Sequence, residues 1–107
     1  MQTRTVYDGL GTLQSNAVGG VTAVKLLTTA TPTRSAINIC NASTSRYLWV
    51  VEQLQSAAAP TVSVNTATRI IAPRETVTLM SSGNIGYYGL FDDGAAGTDK
   101  VNVQELM

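Results

Sequence analysis

The stretch that decides the fold covers the last third of the chain and contains three short runs of alternating character. They read IIAPRETVTL (70–79), IGYYGLF (85–91) and VNVQEL (101–106). Within each run apolar side chains tend to recur at every second position, which is the period of a half-buried β-strand. The gaps SSGN (81–84) and DDG (92–94) have the small and polar residues of turns. This part of the chain therefore predicts consecutive antiparallel strands.

The same pattern extends toward the N-terminus, where further apolar runs are separated by turn residues. About seven or eight strands result, with no amphipathic helix, which predicts an all-β antiparallel sandwich of immunoglobulin-like or jelly-roll topology. Pro73 has no N–H for a sheet ladder and is expected at a strand end or edge. The additional predicted strands are 21–28, 34–41, 47–54, 61–65 and 69–71.

Residues 1–20 differ from the remainder, because glycines and polar residues interrupt every period. This segment does not bury enough apolar surface to offset the entropy of ordering it alone. A mobile tail is one interpretation. Its scattered apolar residues favour the other, an extended N-terminal arm that orders against a neighbouring subunit, followed by a sandwich domain at 21–107. The predicted arm contacts are Val6, Tyr7, Leu10 and Leu13.

The composition argues for a protein that associates with other proteins. Of 107 residues only 13% are charged, and seven basic residues balance seven acidic ones. A nucleic-acid groove or a polybasic membrane surface needs a basic excess, so neither partner is expected. Charge-poor surfaces of zero net charge tend to associate. The N-terminus has no apolar signal segment, which predicts synthesis in a cytoplasm.

The sequence contains few residues of the types that carry out catalysis. The chain has no histidine and a single cysteine, Cys40, so neither a histidine-based triad nor a common zinc site is expected. The acidic loop at 92–99 does not have the spacing of a calcium loop. Glu52 lies in the most apolar run, where a buried carboxylate is a possible general acid, but no second carboxylate is close in sequence. We expect no catalytic residue, cofactor or metal, and no enzymatic activity.

Aromatic and arginine side chains are the better candidates for contacts. Trp49 and Tyr88 belong to an aromatic set that either packs in a core or interface or forms a sugar-stacking platform, and packing is favoured. Arg34 and Arg74 stand near strand starts or turns, where bidentate guanidinium groups suit protein contacts. These four residues join the arm residues as the predicted interface.

Four segments carry a resemblance to a known group of proteins. They are the pattern Arg34-x-x-Ile37-x-Ile39-x-Asn41-Ala42-Ser43, the turn at 71–77, the run at 83–87 and the closing strand at 101–107. Together they resemble the small β-sandwich structural proteins of tailed bacteriophage particles. Arg74 departs from that pattern, since a glycine is common at its position.

The resemblance implies a non-enzymatic virion protein, most directly a decoration or cement protein that stabilises the capsid lattice at the particle surface. Its partners would be the major capsid protein or other virion subunits, with self-association into a homo-oligomer or attachment to a lattice. One alternative is a head–tail connector, neck or tail component. Another is a carbohydrate-binding module for attachment to the host.

Overall fold

The computed structural model describes residues 10–18, 22–28, 31–92 and 99–107, with the backbone alone for 10–12. These residues form eight β-strands and no helix. The predicted all-β class is confirmed. The strands are β1 (Leu10–Ala17), β2 (Val24–Lys25), β3 (Ala36–Asn41), β4 (Leu48–Leu54), β5 (Arg69–Ile71), β6 (Thr76–Met80), β7 (Ile85–Phe91) and β8 (Lys100–Leu106).

The strands form two antiparallel four-stranded sheets. Sheet A has the order β1-β8-β3-β6, and sheet B has the order β2-β7-β4-β5. The pairs β1·β8, β2·β7, β3·β6 and β4·β5 are all antiparallel, so the chain is a long two-stranded ribbon wrapped into two layers. Of the two predicted topologies this is the jelly roll, in which eight strands form two interlocked Greek keys.

The core lies between the two sheets and explains the period-two pattern. Ile37 and Ile39 of β3 and Val101 and Val103 of β8 point inward from sheet A. Each such side chain contributes roughly 1.5–3 kcal/mol by leaving water. Sheet B contributes the facing layer, which comprises Leu48, Val50, Ile71, Tyr87 and Phe91.

The segment 61–65 was predicted as a strand, and that prediction is wrong. Residues 63–66 form a turn in which the Ser63 N–H donates to Thr66 Oγ1 (2.9 Å) and the Ala67 N–H donates to the Ser63 carbonyl (2.9 Å). Hydroxyl side chains that bond their own backbone compete with a sheet ladder. The predicted strand at 21–28 is likewise reduced to the two residues of β2.

The predicted arm differs from the structure where the structure describes it. Residues 10–17 are not an arm but β1, an outer strand of sheet A paired with β8. Sequence periodicity missed it because polar side chains take the inward positions. Asn16 Nδ2 donates to the Leu26 carbonyl (2.8 Å), and Gln14 Oε1 accepts from the Thr28 N–H (2.9 Å). Val6, Tyr7 and the rest of 1–9 lie outside the described residues.

The turn at Pro73 joins β5 of sheet B to β6 of sheet A, and Pro73 lies outside both strands, as its missing N–H predicts. The Glu75 N–H donates to the Ala72 carbonyl (3.0 Å), and Arg74 has a φ of 63°. Proline at the second turn position and a positive φ at the third define a type II turn. Glycine is usual at that third position, so the departure noted in the sequence puts a side chain at a left-handed backbone position.

Candidate functional site

The outer face of sheet A presents regular cross-strand rows of uncharged side chains. Inward positions alternate with outward ones along each strand, so the residues between the core positions point away from the sandwich. Two adjacent rows run across all four strands in register. We call these eight residues the sheet-A face: Leu13, Gln104, Asn38 and Thr78 in one row, and Ser15, Asn102, Cys40 and Thr76 in the next.

The sheet-A face is exposed or half-buried throughout and carries no formal charge. Among the outward positions of these four strands with described side chains, the sole charged residue is Lys100, beside the second row. Leu13 is 66% exposed at one edge, and Met80 is 69% exposed at the other. Interface cores are depleted of charge because charged groups are costly to desolvate. The sheet-A face therefore suits contact with another protein.

Side chains on the sheet-A face have groups that can hydrogen-bond to a partner protein, and they also provide uncharged contact area. Thr78 Oγ1 donates to Asn38 Oδ1, and Gln104 Nε2 donates to the Glu105 carbonyl (3.2 Å). An amide side chain both donates and accepts, so it can pair with backbone or side-chain groups of many partners. Cys40 is half-buried among these polar neighbours.

The outer face of sheet B is different because apolar residues from neighbouring segments pack on it. Val62, from the connection between β4 and β5, forms a buried cluster with Val51 and Leu90. Trp49 and Tyr88 are half-buried against this cluster. The structure therefore brings these two predicted contact residues to one face, but away from Leu13.

Arg34 was predicted as a surface contact, and the structure contradicts that prediction. Its side chain and that of Glu105 are both 0% exposed, and Arg34 Nη1 lies 3.4 Å from Glu105 Oε2. Arg34 Nη2 also donates to the Ile85 carbonyl (2.6 Å). The guanidinium binds inside the protein because the inward-pointing Glu105 supplies an opposite charge there.

Glu105 is the important residue that the sequence reasoning missed. Its Oε2 accepts from the Thr31 N–H (2.8 Å), and its Oε1 accepts from Thr31 Oγ1 (2.7 Å). The signal was present in the sequence, since period-two alternation puts Glu105 on the same strand face as Val101 and Val103. A carboxylate at an inward position requires a buried cation or several donors, and it has both.

Tyr87 connects this charged pair with the exterior. The Arg34 guanidinium lies over the Tyr87 ring, 5.9 Å from the ring centroid. The Tyr87 hydroxyl donates to Glu52 Oε1 (3.0 Å). Burial raises the pKa of the Tyr87 phenol from 10.0 to about 12. Glu52 itself is exposed, so the interpretation of Glu52 as a buried general acid is wrong.

The eight predicted contact residues do not form one site. Leu13 lies on sheet A, Trp49 and Tyr88 lie on sheet B, and Arg74 is exposed at the turn between β5 and β6. Arg34 is internal. Leu10 is the first residue of β1, and only its backbone is described. Val6, Tyr7 and most of the acidic loop predicted at 92–99 lie outside the described residues.

Other features of the described residues offer no further chemical centre. No group of three or more histidine, cysteine, aspartate or glutamate residues within them has the spacing to hold a metal ion. An open groove of about 630 Å³ lies at one end of the sandwich, near Pro32, Gln55 and Gly83, and its lining is uncharged. Within these same ranges no helix has the length and apolar character to cross a membrane.

Comparison with known proteins gave no match. No family model, no curated protein and no solved structure is similar to this chain at a significant level. The jelly-roll topology and the sheet-A face are therefore the features from which a function is inferred.

Proposed function

We propose that this chain is a non-enzymatic structural protein of a tailed-phage virion. In that role it decorates or cements the capsid, and the sheet-A face lies against a capsid or other virion subunit. The observation that carries the proposal is the sheet-A face itself, which combines four strands of regular backbone with eight uncharged, solvent-accessible side chains.

Two further features support this role. Jelly rolls recur in viral capsid domains, although they also occur in lectins and cupins, so this is an argument from fold analogy. The sequence resemblance at 34–43 and 71–77 points to the same class. The first of these segments leads from buried Arg34 through β3, and the second forms the type II turn.

The mechanism we propose relies on many weak contacts. A face without charged groups avoids the large cost of desolvating charges when it packs on a partner. On a particle each copy is held near further sites, and the summed contacts exceed what one copy supplies. The segment 1–9, with Val6 and Tyr7, is a proposed second contact.

Particle binding tests the proposal. Empty heads are assembled from the major capsid protein of the tailed phage to which we assign the chain, and the purified chain is added before sedimentation. We expect the chain to co-sediment at a fixed ratio and to raise the temperature at which heads disassemble. A chain that stays in the supernatant at saturating concentration contradicts the proposal.

One observation favours a second candidate, a carbohydrate-binding module for host attachment. Trp49 and Tyr88 are diagonal neighbours on the outer face of sheet B, since Trp49 pairs with Leu90 and Val51 pairs with Tyr88. Two half-exposed rings on one face can stack on sugars. Glycan-array binding lost in Trp49→Ala and Tyr88→Ala, but kept in Tyr47→Ala with all three folded, supports this candidate. No binding by the parent chain rejects it.

A further inference from the structure

Strand β1 forms one edge of sheet A, and its backbone geometry is that of a strand ready to pair. In the described part of the chain its sheet partner is β8 alone. The pairing register is irregular between Leu10 and Leu13 but regular from Leu13 to Ala17. An edge strand presents alternate N–H and C=O groups on its outer side, which form a template for another strand.

The other three edge strands are short or flanked by charge. On sheet B, β2 has two residues and includes Lys25, and β5 has three and begins at Arg69. On sheet A, β6 has five residues, follows Arg74 and Glu75, and lies beside Arg69 across a small cavity. Short length and nearby charge are the usual protection of sheet edges. β1 has eight residues.

The absence of charged residues on β1 favours a second copy of this chain as the strand that pairs with the β1 edge. Two identical antiparallel strands related by a two-fold axis pair residue i of one copy with residue j of the other, and j with i, so both strands contribute the same charges to one short ladder. The β1 sequence LGTLQSNA has no charged residue and no proline. Two β1 strands therefore meet without repulsion of like charges, whereas pairing through β2 or β5 brings two Lys25 or two Arg69 side chains onto one short ladder.

We propose that two copies of the chain pair antiparallel through β1, which joins two A sheets into one continuous eight-stranded sheet. Leu13, 66% exposed in the single chain, gains cross-strand neighbours from the second copy in the pair. Ser15 and Ala17 are small and exposed, so they allow close approach of the two backbones. The pairing does not depend on the virion role proposed above.

Sedimentation velocity of the full chain, from low micromolar to near-millimolar concentration, tests the pairing. We expect a concentration-dependent species of twice the mass of one chain. The variant Leu13→Lys/Ser15→Lys puts two cations on the β1 edge and should weaken dimerisation about tenfold or more, since like charges at a paired edge repel. Circular dichroism checks that each variant is folded.

The matched control is Thr76→Lys/Thr78→Lys, which places the same two charges at exposed outward positions of β6, the opposite edge of sheet A. This variant should dimerise like the parent chain. Three results overturn the proposal: a parent chain that stays monomeric at every concentration, a β1 variant that dimerises unchanged, or a control that dissociates equally. The last result points to stacking through the sheet-A face instead.

Discussion

Arg34 and Glu105 are opposite charges in the interior of the protein. The groups around them determine how much the pair contributes to the free energy of unfolding. Desolvation of two charges offsets much of their attraction, so such a pair is weak evidence for stability by itself. Removal of one partner is different, because it leaves the other charge buried without compensation. Thr31 adds two donors to the carboxylate, and the Ile85 carbonyl adds an acceptor to the guanidinium.

Glu105→Gln therefore tests the pair. The amide lacks the charge that balances Arg34, and its NH₂ group opposes a donor, so the free energy of unfolding should fall by about 3–5 kcal/mol. Urea denaturation measures this change. Asp92→Asn, at an exposed position, is the control and should change stability by less than about 0.5 kcal/mol. A loss as small as that of the control would show that the buried pair is unimportant.

Tyr87 gives the protein a specific alkaline sensitivity. Burial raises the pKa of its phenol to about 12 in the folded state, against 10.0 in the unfolded chain. Between these values the unfolded chain has released this proton while the folded chain still binds it. Stability from this residue is therefore complete below about pH 10 and declines as the pH rises toward 12.

The stability difference between the parent chain and Tyr87→Phe should accordingly shrink as the pH rises from 9 to 12, since phenylalanine has no proton to release. Chemical denaturation at several pH values measures both proteins. Tyr47→Phe, at an exposed ring, is the control for alkaline effects that do not depend on burial. A difference that stays constant across this range refutes the proposed linkage.

At the scale of elements, the type II turn between β5 and β6 contains one unfavourable residue. Arg74 occupies a left-handed backbone position with a φ of 63°, which L-residues adopt at a cost of about 1 kcal/mol or more. Arg74→Gly should relieve that cost and raise the free energy of unfolding by roughly 0.5–1 kcal/mol, despite the greater entropy of unfolded glycine. Arg74→Ala, which keeps a Cβ, should not stabilise. Thermal unfolding compares the variants, and a destabilised glycine variant would contradict the turn geometry.

Strands with apolar residues at every second position were predictable from the sequence, and β3, β4, β6, β7 and β8 match the predicted runs closely. β1 was not predictable from periodicity, because Gln14 and Asn16 replace apolar side chains at its inward positions. The alternation at 61–65 predicted a strand wrongly, because Ser63 and Thr66 form a turn in which the hydroxyl of each accepts from the backbone N–H of the other. Both errors arise where polar side chains, rather than apolar burial, determine the local structure.

The candidate site was less predictable than the fold. Exposed Leu13 was predicted, but the neutral rows around it depend on the register that brings Asn38, Gln104 and Thr78 together from distant parts of the chain. A single sequence does not contain that register until the strand order is known. Arg34 looked like a surface residue because its partner, Glu105, lies 71 positions away.

At the scale of the whole molecule, the two sheets present different exteriors. Sheet B carries an apolar cluster completed by Val62 from a neighbouring segment, whereas the sheet-A face is neutral and accessible. We infer that sheet A contacts partners and that its β1 edge joins two copies. The two contacts are compatible, because an edge-to-edge pair leaves both A faces on the same side of one extended sheet.

We propose that the sheet-A face binds a capsid or other virion subunit. The test is co-sedimentation of Asn38→Glu with empty heads, beside the control Val64→Glu, whose side chain is exposed on the connection between β4 and β5. A charge in the middle of the sheet-A face should reduce binding about tenfold or more, since it must be desolvated unpaired. The control should bind like the parent chain. Equal binding by both variants, with both folded, would contradict the claim.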